Sequence, residues 1–575
     1  MKDRVSNDIG AKETLLSWSD IDWKTVNKRV KNLRQRIYRA TQLGRWNQVR
    51  SLMKLLMRSY SNLLLSVRRV TQDNQGRRTA GVDGQKVKTP LERVKLVKEW
   101  KEYQPWRVQP TKRVYVPKSN GKLRPLGIPT IKNRVAQAII KNALEPSWEA
   151  RFEANSYGFR PGRGCHDAIE QCFARLQKGK DTWVLDADIK GAFDNISHDY
   201  ILKTIGQVPG RELIKQWLKA GYVESEVFHE TEEGTPQGGI ASPLLANIAL
   251  DGMDDWLKSF TKTRWGKTYQ YGNQKVHSQH KYRKYGFIRY ADDFVITAET
   301  KEEIEEILPK IKTWLAQRGL QLNEEKTQIK HISEGFNFLG FNIRQYQGKC
   351  LIKPQKEKVK NKLSQIKTWL NSHPNVKPEV VIEVLNPILR GWANYYKHGV
   401  SSRTFHYFDH RMVKMLIKWA LKKHPNKSVG WIIPKYFGRI GNDHWVFKAN
   451  SSDRRGQPKE SYIYKMATTG ITRHVKVKDK ASPDDPTLKT YWNERLTKYG
   501  KTYFAKGSKL YQIAQNQKWH CPICGEHLFN GERIETHHVL EVTKGGNDEV
   551  NNLVHVHLEC HKQIHGDKKP VSTGA

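Results

Sequence analysis

Asp292 and Asp293 stand side by side between two short apolar runs, Gly286-Phe-Ile-Arg-Tyr290 and Phe294-Val-Ile-Thr297. Such a segment reads as a hairpin with both carboxylates at its tip, and adjacent carboxylates repel unless cations neutralise them. A second strand-like run, Trp183-Val-Leu-Asp-Ala-Asp-Ile189, puts Asp186 and Asp188 on one face, alternating with Leu185, Ala187 and Ile189. If the two strands pair, Asp188 and Asp292 can share two divalent ions, as two-metal phosphoryl transfer requires. Far downstream, Cys521-x-x-Cys524 and His557-x-x-Cys560 supply four ligands at zinc spacing. The other three cysteines, Cys165, Cys172 and Cys350, are scattered, so the set reads as isolated thiols plus a metal site.

These residues need elements to position them. The 575 residues suggest three to five domains, at roughly 100–200 residues each. Residues 22–71 read as basic amphipathic helices, with Val26, Val30, Leu33 and Ile37 at helical spacing and a break at Gly44 before a second helix through Leu65. From Arg113 to Phe341 short β-type runs alternate with helical stretches, an α+β pattern. Between Trp256 and Tyr285 lies a basic, aromatic, Gly-containing insert that reads as a loop or small excursion touching nucleic acid. Residues 355–423 return to helix, with Val359, Leu363, Ile366 and Leu370 as one stripe. Residues 425 to 506 read as a loosely packed basic module, and the tail from Trp519 as a separate unit.

The net charge is +42, from 100 Lys and Arg against 58 Asp and Glu. It divides into +15 over residues 1–110, +7 over 111–350, +23 over 351–520 and −3 over 521–575. An excess of this size points to a polyanionic partner, and the usual one is nucleic acid. An apolar fraction of 37% is too high for a disordered chain. No apolar run approaches the ~18 residues of a membrane span, and the first residues lack the apolar stretch of a secretory signal. The expectation is a soluble intracellular protein without a membrane partner.

Several blocks occur together in one order. They are Arg124-Pro-Leu-Gly-Ile-Pro129, Ser156-Tyr-Gly-Phe-Arg160, Asp188-Ile-Lys-Gly-Ala-Phe-Asp194 and Gly234-Thr-Pro-Gln-Gly-Gly-Ile-Ala-Ser-Pro243. Tyr290-Ala-Asp-Asp293, Gly319-Leu-Gln-Leu-Asn-Glu-Glu-Lys-Thr327 and Phe338-Leu-Gly-Phe341 follow. This series resembles the reverse transcriptases. The resemblance implies Asp188, Ile189 and Asp292 as the metal set, with Asp293 completing the catalytic carboxylates, and two Mg2+ ions. Lys118 and Arg124 would grip the triphosphate of an incoming deoxynucleotide, and Gln237 would lie against its sugar and base. Phe193 would be the ring that excludes a ribose 2′-hydroxyl. Lys326 reads either as a proton donor to leaving pyrophosphate or as an ordinary surface lysine, and Asp186 as structural.

Thr79-Ala-Gly-Val-Asp-Gly84 and Leu385-Asn-Pro-Ile-Leu-Arg-Gly-Trp-Ala-Asn-Tyr-Tyr396 narrow the resemblance to group II intron-encoded proteins, the second block matching their maturase domain. Glu535, His537-His538, Gly545-Gly546, Asn552 and His561-x-x-x-His565, inside the Cys/His frame, resemble an HNH endonuclease with an embedded zinc knuckle. His537, His561 and His565 would hold one divalent ion, His538 would be the general base on water, and Asn552 would orient the loop. Cys521, Cys524, His557 and Cys560 would hold one structural Zn2+; His557 stands where many members have Cys.

The expected fold is multidomain α+β: a right-hand polymerase with fingers, an antiparallel palm sheet and a helical thumb, plus a C-terminal ββα-metal HNH domain. The expected parts are a basic helical extension (1–105), fingers and palm (106–348), thumb and maturase domain (349–424), a DNA-binding region (425–510) and the nuclease (511–575). The expected partners are group II intron RNA, target DNA and deoxynucleoside triphosphates, with the protein a monomer or dimer. The expected place is a bacterial cytoplasm, near the nucleoid, or an organelle. A splicing cofactor with a dead polymerase is disfavoured by the intact Asp188, Asp292 and Asp293. A nuclease fused to a mere RNA-binding scaffold is disfavoured by the ordered polymerase blocks.

Overall fold

The computed structural model describes residues 17–566 apart from 101–107, 118–120, 122, 178–180, 236–237, 272–273, 442 and 453–457. Lys118 and Gln237 therefore lie outside the described residues. The chain forms a mixed α/β, multidomain architecture.

The N-terminal part opens with α1 (Trp23–Gln42), started by Asp22, whose carboxylate accepts from the backbone of Lys24 and Thr25. Gly44, with φ +67°, turns the chain into α2 (Trp46–Arg58). The second helix does not run through Leu65: extended Ser59 ends it, and α3 (Tyr60–Arg68) follows. A π-helical turn, Arg69–Asp73, extends α3. Next come α4 (Pro90–Glu99), begun by a Thr89–Glu92 capping box, and the nearly fully buried α5 (Ile131–Glu149). α1, α2 and α3 all pack on α5.

Two sheets follow. β1 (Thr111–Pro117) and β2 (Leu123–Ile128) form a hairpin, with β4 (Tyr222–Glu224) parallel to β1 and β5 (Val227–His229) beyond it. In the second sheet β3 (Trp183–Asp188) is interior. β8 (Gly286–Tyr290) and β9 (Asp293–Ala298) form a hairpin, and β10 (Gln328–His331) closes the other edge. Leu185, Phe294 and Ile296 of this sheet enter one core with Leu52, Leu56, Ile140 and Ile248. α6 (Cys165–Leu176) packs on β8.

Of the two readings of the insert between Trp256 and Tyr285, the small excursion holds: β6 (Thr261–Tyr271) and β7 (Gln274–Arg283) pair antiparallel as a sheet of their own. Thr261, Thr263, Trp265, Thr268, Tyr269 and Tyr271 are β-formers, a preference that its basic charge masks.

Beyond the sheets run helices Lys356–Ser372, Pro378–Tyr396 and Ser402–Lys423. The Val359, Leu363, Ile366, Leu370 stripe is buried. The 425–506 region is more tightly packed than its composition suggests. Helix Val429–Tyr436 leads into a sheet of Phe437–Ile440, Asp443–Ser452 and Pro458–Tyr462. Ile432, Tyr436, Phe437 and Phe447 enter the same core as Phe405, Phe408 and Trp419. Aromatic residues spread thinly among lysines are enough to seal it.

A strap then crosses the body. Asp167 of α6 accepts from Val477 N (2.8 Å), His474 Nε2 (2.9 Å) and Arg495 Nη2 (2.9 Å). Arg34 of α1 donates to Asp484 at 2.7 Å and to Glu145 at 2.9 Å. The tail is likewise not separate. Cys521, Cys524, Leu528, Val556 and Cys560 share a core with Trp18, Trp23, Val26, Leu64 and Val67. A segment this short cannot bury enough apolar surface alone, and it takes the missing surface from the N-terminal helices.

Candidate functional site

The carboxylate site follows from strand register. β3 pairs antiparallel with β9, so Asp188 lies directly opposite Asp293. Tyr290 pairs with Asp293 across the β8–β9 hairpin, leaving Ala291 and Asp292 as its two-residue turn. Ala291 has φ +59°, a left-handed conformation that a side-chain-bearing residue holds only under surrounding constraint. Two constraints are visible. Gly158 lies so close that a Cβ there would overlap the Ala291 nitrogen. Arg289, 1% exposed, sends Nη1 to Ala291 O (3.3 Å) and Asn247 Oδ1 (3.1 Å). The Ser156-Tyr157-Gly158 segment is tied to β8 by Tyr157 N donating to Arg289 O and Arg289 N to Asn155 O, both 2.9 Å.

Burial raises the pKa of Asp292, and the Asp188 charge adds to it. Asp293 is pushed up to about 8 by burial, by Asp292 and by its hydrogen bond with Asp188. Asp186 is pushed up to about 6 by burial, with Asp188 adding. Without cations this cluster resists holding its charges, so the donor set fits divalent metal. Lys326 Nζ sits 2.5 Å from Asp188 Oδ2, and Asn323 Nδ2 3.2 Å from the same oxygen. Ile189, buried beside Asp188, has only its main-chain carbonyl to offer a metal.

A cavity of about 480 Å3 is lined by Arg124, Phe159, Phe193, Gly238, Arg69 and Lys141 among others. Phe193 is 7% exposed and meets Phe159 edge-on at 6.2 Å. Left-handed Gly191 begins the short Ala192–Asn195 helix that carries it. The structure thus brings Arg124 and Phe193 to one cavity. Arg69 comes from the π-helical turn after α3 and Lys141 from α5, both outside the sequence blocks, and no spacing pattern marks them. Arg289 carried a readable signal, as a charge between Ile288 and Tyr290 in an apolar strand.

In the tail, strand Ile534–His538 pairs antiparallel with Leu553–His557, and helix Leu558–Ile564 follows. The ligand atoms of Cys521, Cys524, His557 and Cys560 lie within 4.8 Å of one another, and all four residues are buried. His557 turns Nδ1 to Cys524 Sγ (3.3 Å) while Nε2 meets Leu528 O (3.2 Å), an outer partner that fixes the ring. Three thiols and an imidazole converging in the dark of a core fit a metal. His537, His561 and His565 form a second convergence within 4.8 Å, partly open to solvent. His561 Nδ1 is held by Glu535 Oε2 at 2.7 Å. Burial and then the neighbouring His561 and His565 lower the pKa of His537, favouring the neutral ring that ligates metal.

His538 Nε2 lies 2.7 Å from Asp548 Oδ1, a partner found on the far side of the loop. Asn552 spans that loop: its Oδ1 accepts from Leu540 N (2.7 Å), and its Nδ2 donates to Leu540 O (3.0 Å) and Asn547 O (2.8 Å).

Family profiles match four stretches. Residues 18–100 match the N-terminal domain of reverse transcriptase and 116–343 reverse transcriptase (RNA-dependent DNA polymerase). Residues 359–437 match the group II intron maturase-specific domain, and 521–567 HNH endonuclease. Protein YkfC of Escherichia coli is 36% identical, over 49% of this chain and 80% of its own length. The group II intron-encoded protein LtrA of Lactococcus lactis is 30% identical over 55% of this chain, and the match spans 65% of LtrA, just under two thirds. A 91 kDa protein in the cob intron of Schizosaccharomyces pombe is 26% identical over 61% of this chain and 51% of its own length. With polymerase, maturase and HNH stretches in one chain, the protein belongs to the family of group II intron-encoded reverse transcriptase/maturases with an HNH endonuclease domain.

Proposed function

We propose that this chain binds a group II intron RNA, assists its splicing, and mobilises it by nicking target DNA and copying the intron into cDNA from the new 3′-hydroxyl. The observation that carries the reading is the β3–β9 register, which sets Asp188 against Asp293 beside Asp292 in a chain that also holds a His/Cys nuclease cluster. In this reading residues 106–348 are fingers and palm, 349–424 the thumb and maturase part, and 425–510 the DNA-binding region. The basic helices at both ends of the polymerase hold RNA through phosphate contacts and stacking.

Asp188 and Asp292, with the Ile189 carbonyl, would hold two Mg2+ ions, which supply charge to the 3′-oxygen and to departing pyrophosphate. Arg124, with Lys118, steadies the triphosphate, and Gln237 lies against the sugar and base. Phe193 fills the space a 2′-hydroxyl would need. Lys326, already bonded to Asp188, is placed to give a proton to the leaving group.

In the tail, Cys521, Cys524, His557 and Cys560 would hold a structural Zn2+. His537, His561 and His565 would hold an exchangeable divalent ion, which supplies charge to the cleaved phosphate. His538 takes the proton from the attacking water, oriented by Asp548, while Asn552 fixes the loop. Relatives come from bacteria and from mitochondrial introns, so the place of action follows the host: cytoplasm or organelle.

The test is a ribonucleoprotein assay with purified protein, its co-purified RNA and duplex DNA. Asp292→Ala should abolish Mg2+-dependent cDNA synthesis while leaving splicing and nicking. Undiminished synthesis by that variant would overturn the polymerase assignment.

A further inference from the structure

We propose that Arg68, at the end of α3, is an outer-shell partner of the Cys521, Cys524, His557, Cys560 zinc site, so that metal binding in the tail and docking of the tail on the N-terminal helices are one linked event. The proposal rests on the zinc reading above and adds a residue from a different part of the chain.

Arg68 is 3% exposed, and its Nη2 lies 3.7 Å from Cys560 Sγ, within reach of an N–H···S hydrogen bond. The same nitrogen is 3.1 Å from Glu532 Oε2, Nε is 3.9 Å from Asp73 Oδ1, and the guanidinium lies 4.7 Å over the Trp23 ring. One zinc with three thiolates and a neutral imidazole carries a charge of −1, and burying an unpartnered charge is costly. Arg68 is a cation in the same core, pointed at one of the sulfurs.

The docking surface around it is built and not incidental. Gln72 Nε2 donates to Glu559 Oε2 at 2.7 Å, and its Oε1 accepts from Trp18 Nε1 at 2.9 Å. Gln563 Nε2 caps the backbone of Ser19 and Ile21 at 2.8 and 3.0 Å. Apolar side chains from both parts fill one core. Linkage then works both ways: docked helices raise zinc affinity, and bound zinc tightens docking by the same factor.

The test uses the full chain and reads metal, not activity. Zinc content of the purified protein is measured, then its loss to a competing chelator. Arg68→Met should lose zinc about tenfold more readily or worse, the size of effect that outer-shell partners carry. Glu532→Gln removes a negative charge beside the site and should hold zinc as well as the parent or better. If Arg68 served only as the partner of Glu532, Glu532→Gln would loosen zinc as much as Arg68→Met, and that result overturns the proposal.

A second measurement needs no variant. Stripping zinc from the natural protein should strip hydrogen-exchange protection from residues 18–26 and 63–70 as well as from 519–560. Loss confined to the tail, or zinc retained normally by Arg68→Met, overturns the linkage alone. Full-length protein that carries no zinc overturns the zinc reading and this proposal together.

Discussion

The ammonium of Lys326 lies 2.5 Å from the carboxylate of Asp188, joining the loop before β10 to the end of β3. In the proposed reading this lysine both neutralises a metal ligand and gives a proton to the leaving group. The two roles separate by experiment. Lys326→Ala should lower the maximal rate of nucleotide addition by roughly 100-fold, the scale of a lost general acid. The same change frees Asp188, so half-saturation should come at lower Mg2+. A variant with unchanged rate and unchanged Mg2+ dependence would make Lys326 a surface residue.

Asp293 bears on stability. Its folded pKa is pushed up to about 8, far above the ordinary carboxylate value, so the folded state binds the proton more tightly than the unfolded one. The contribution of this group to stability is therefore fully present at low pH and is lost as pH rises from about 4 to about 8. In metal-free protein at pH 8, Asp293→Asn should raise the melting temperature, on the order of a few degrees. The gain should shrink at pH 5 and in saturating Mg2+. A variant less stable than its parent at pH 8 would contradict the crowded-charge account.

Phe193 tests sugar selection. The ring lines the cavity and is braced by Phe159. Phe193→Val opens space without adding a polar group, so ribonucleotide incorporation should increase relative to deoxynucleotide incorporation. Competition between labelled triphosphates reads the ratio directly. An active variant with the parental ratio would leave Phe193 a core residue only.

The two tail clusters should respond differently to mutation. His538→Ala should cut DNA nicking by at least ~100-fold while zinc stays bound, because the knuckle does not use His538. Cys524→Ala should lose zinc and nicking together. Asp548→Ala should leave a slower nuclease, since His538 loses the partner that orients its ring. Equal zinc loss in His538→Ala and Cys524→Ala would merge the two sites into one.

Much of this was legible in the sequence where the signal is local. The alternation in Trp183–Ile189 and the Asp292-Asp293 tip predict a shared carboxylate site, and β3 and β9 do pair. The stripe from Val359 to Leu370 is buried as its spacing requires. The Cys and His spacing in the tail foretells two convergent clusters, and both are present. Their catalytic and structural roles are what the tail variants test. Partners drawn from distant segments leave no local trace. Arg289 faces Glu153 and Asp251, and Arg68 reaches Cys560 across 492 residues. The 425–506 region misleads because its buried aromatics are diluted by lysines, so neither period nor composition reports the core they seal.

The shared core of the tail and the N-terminal helices sets the order in which the chain can be finished. Trp18, Trp23 and Val67 leave the ribosome first, yet Cys521, Val556 and Cys560, which pack in the same cluster, are made some 450 residues later. At roughly 5–20 residues per second the helices wait tens of seconds with that face open. Contacts of such long sequence separation form late. The tail can therefore close on the helices only after the polymerase and maturase stretches between them have been made.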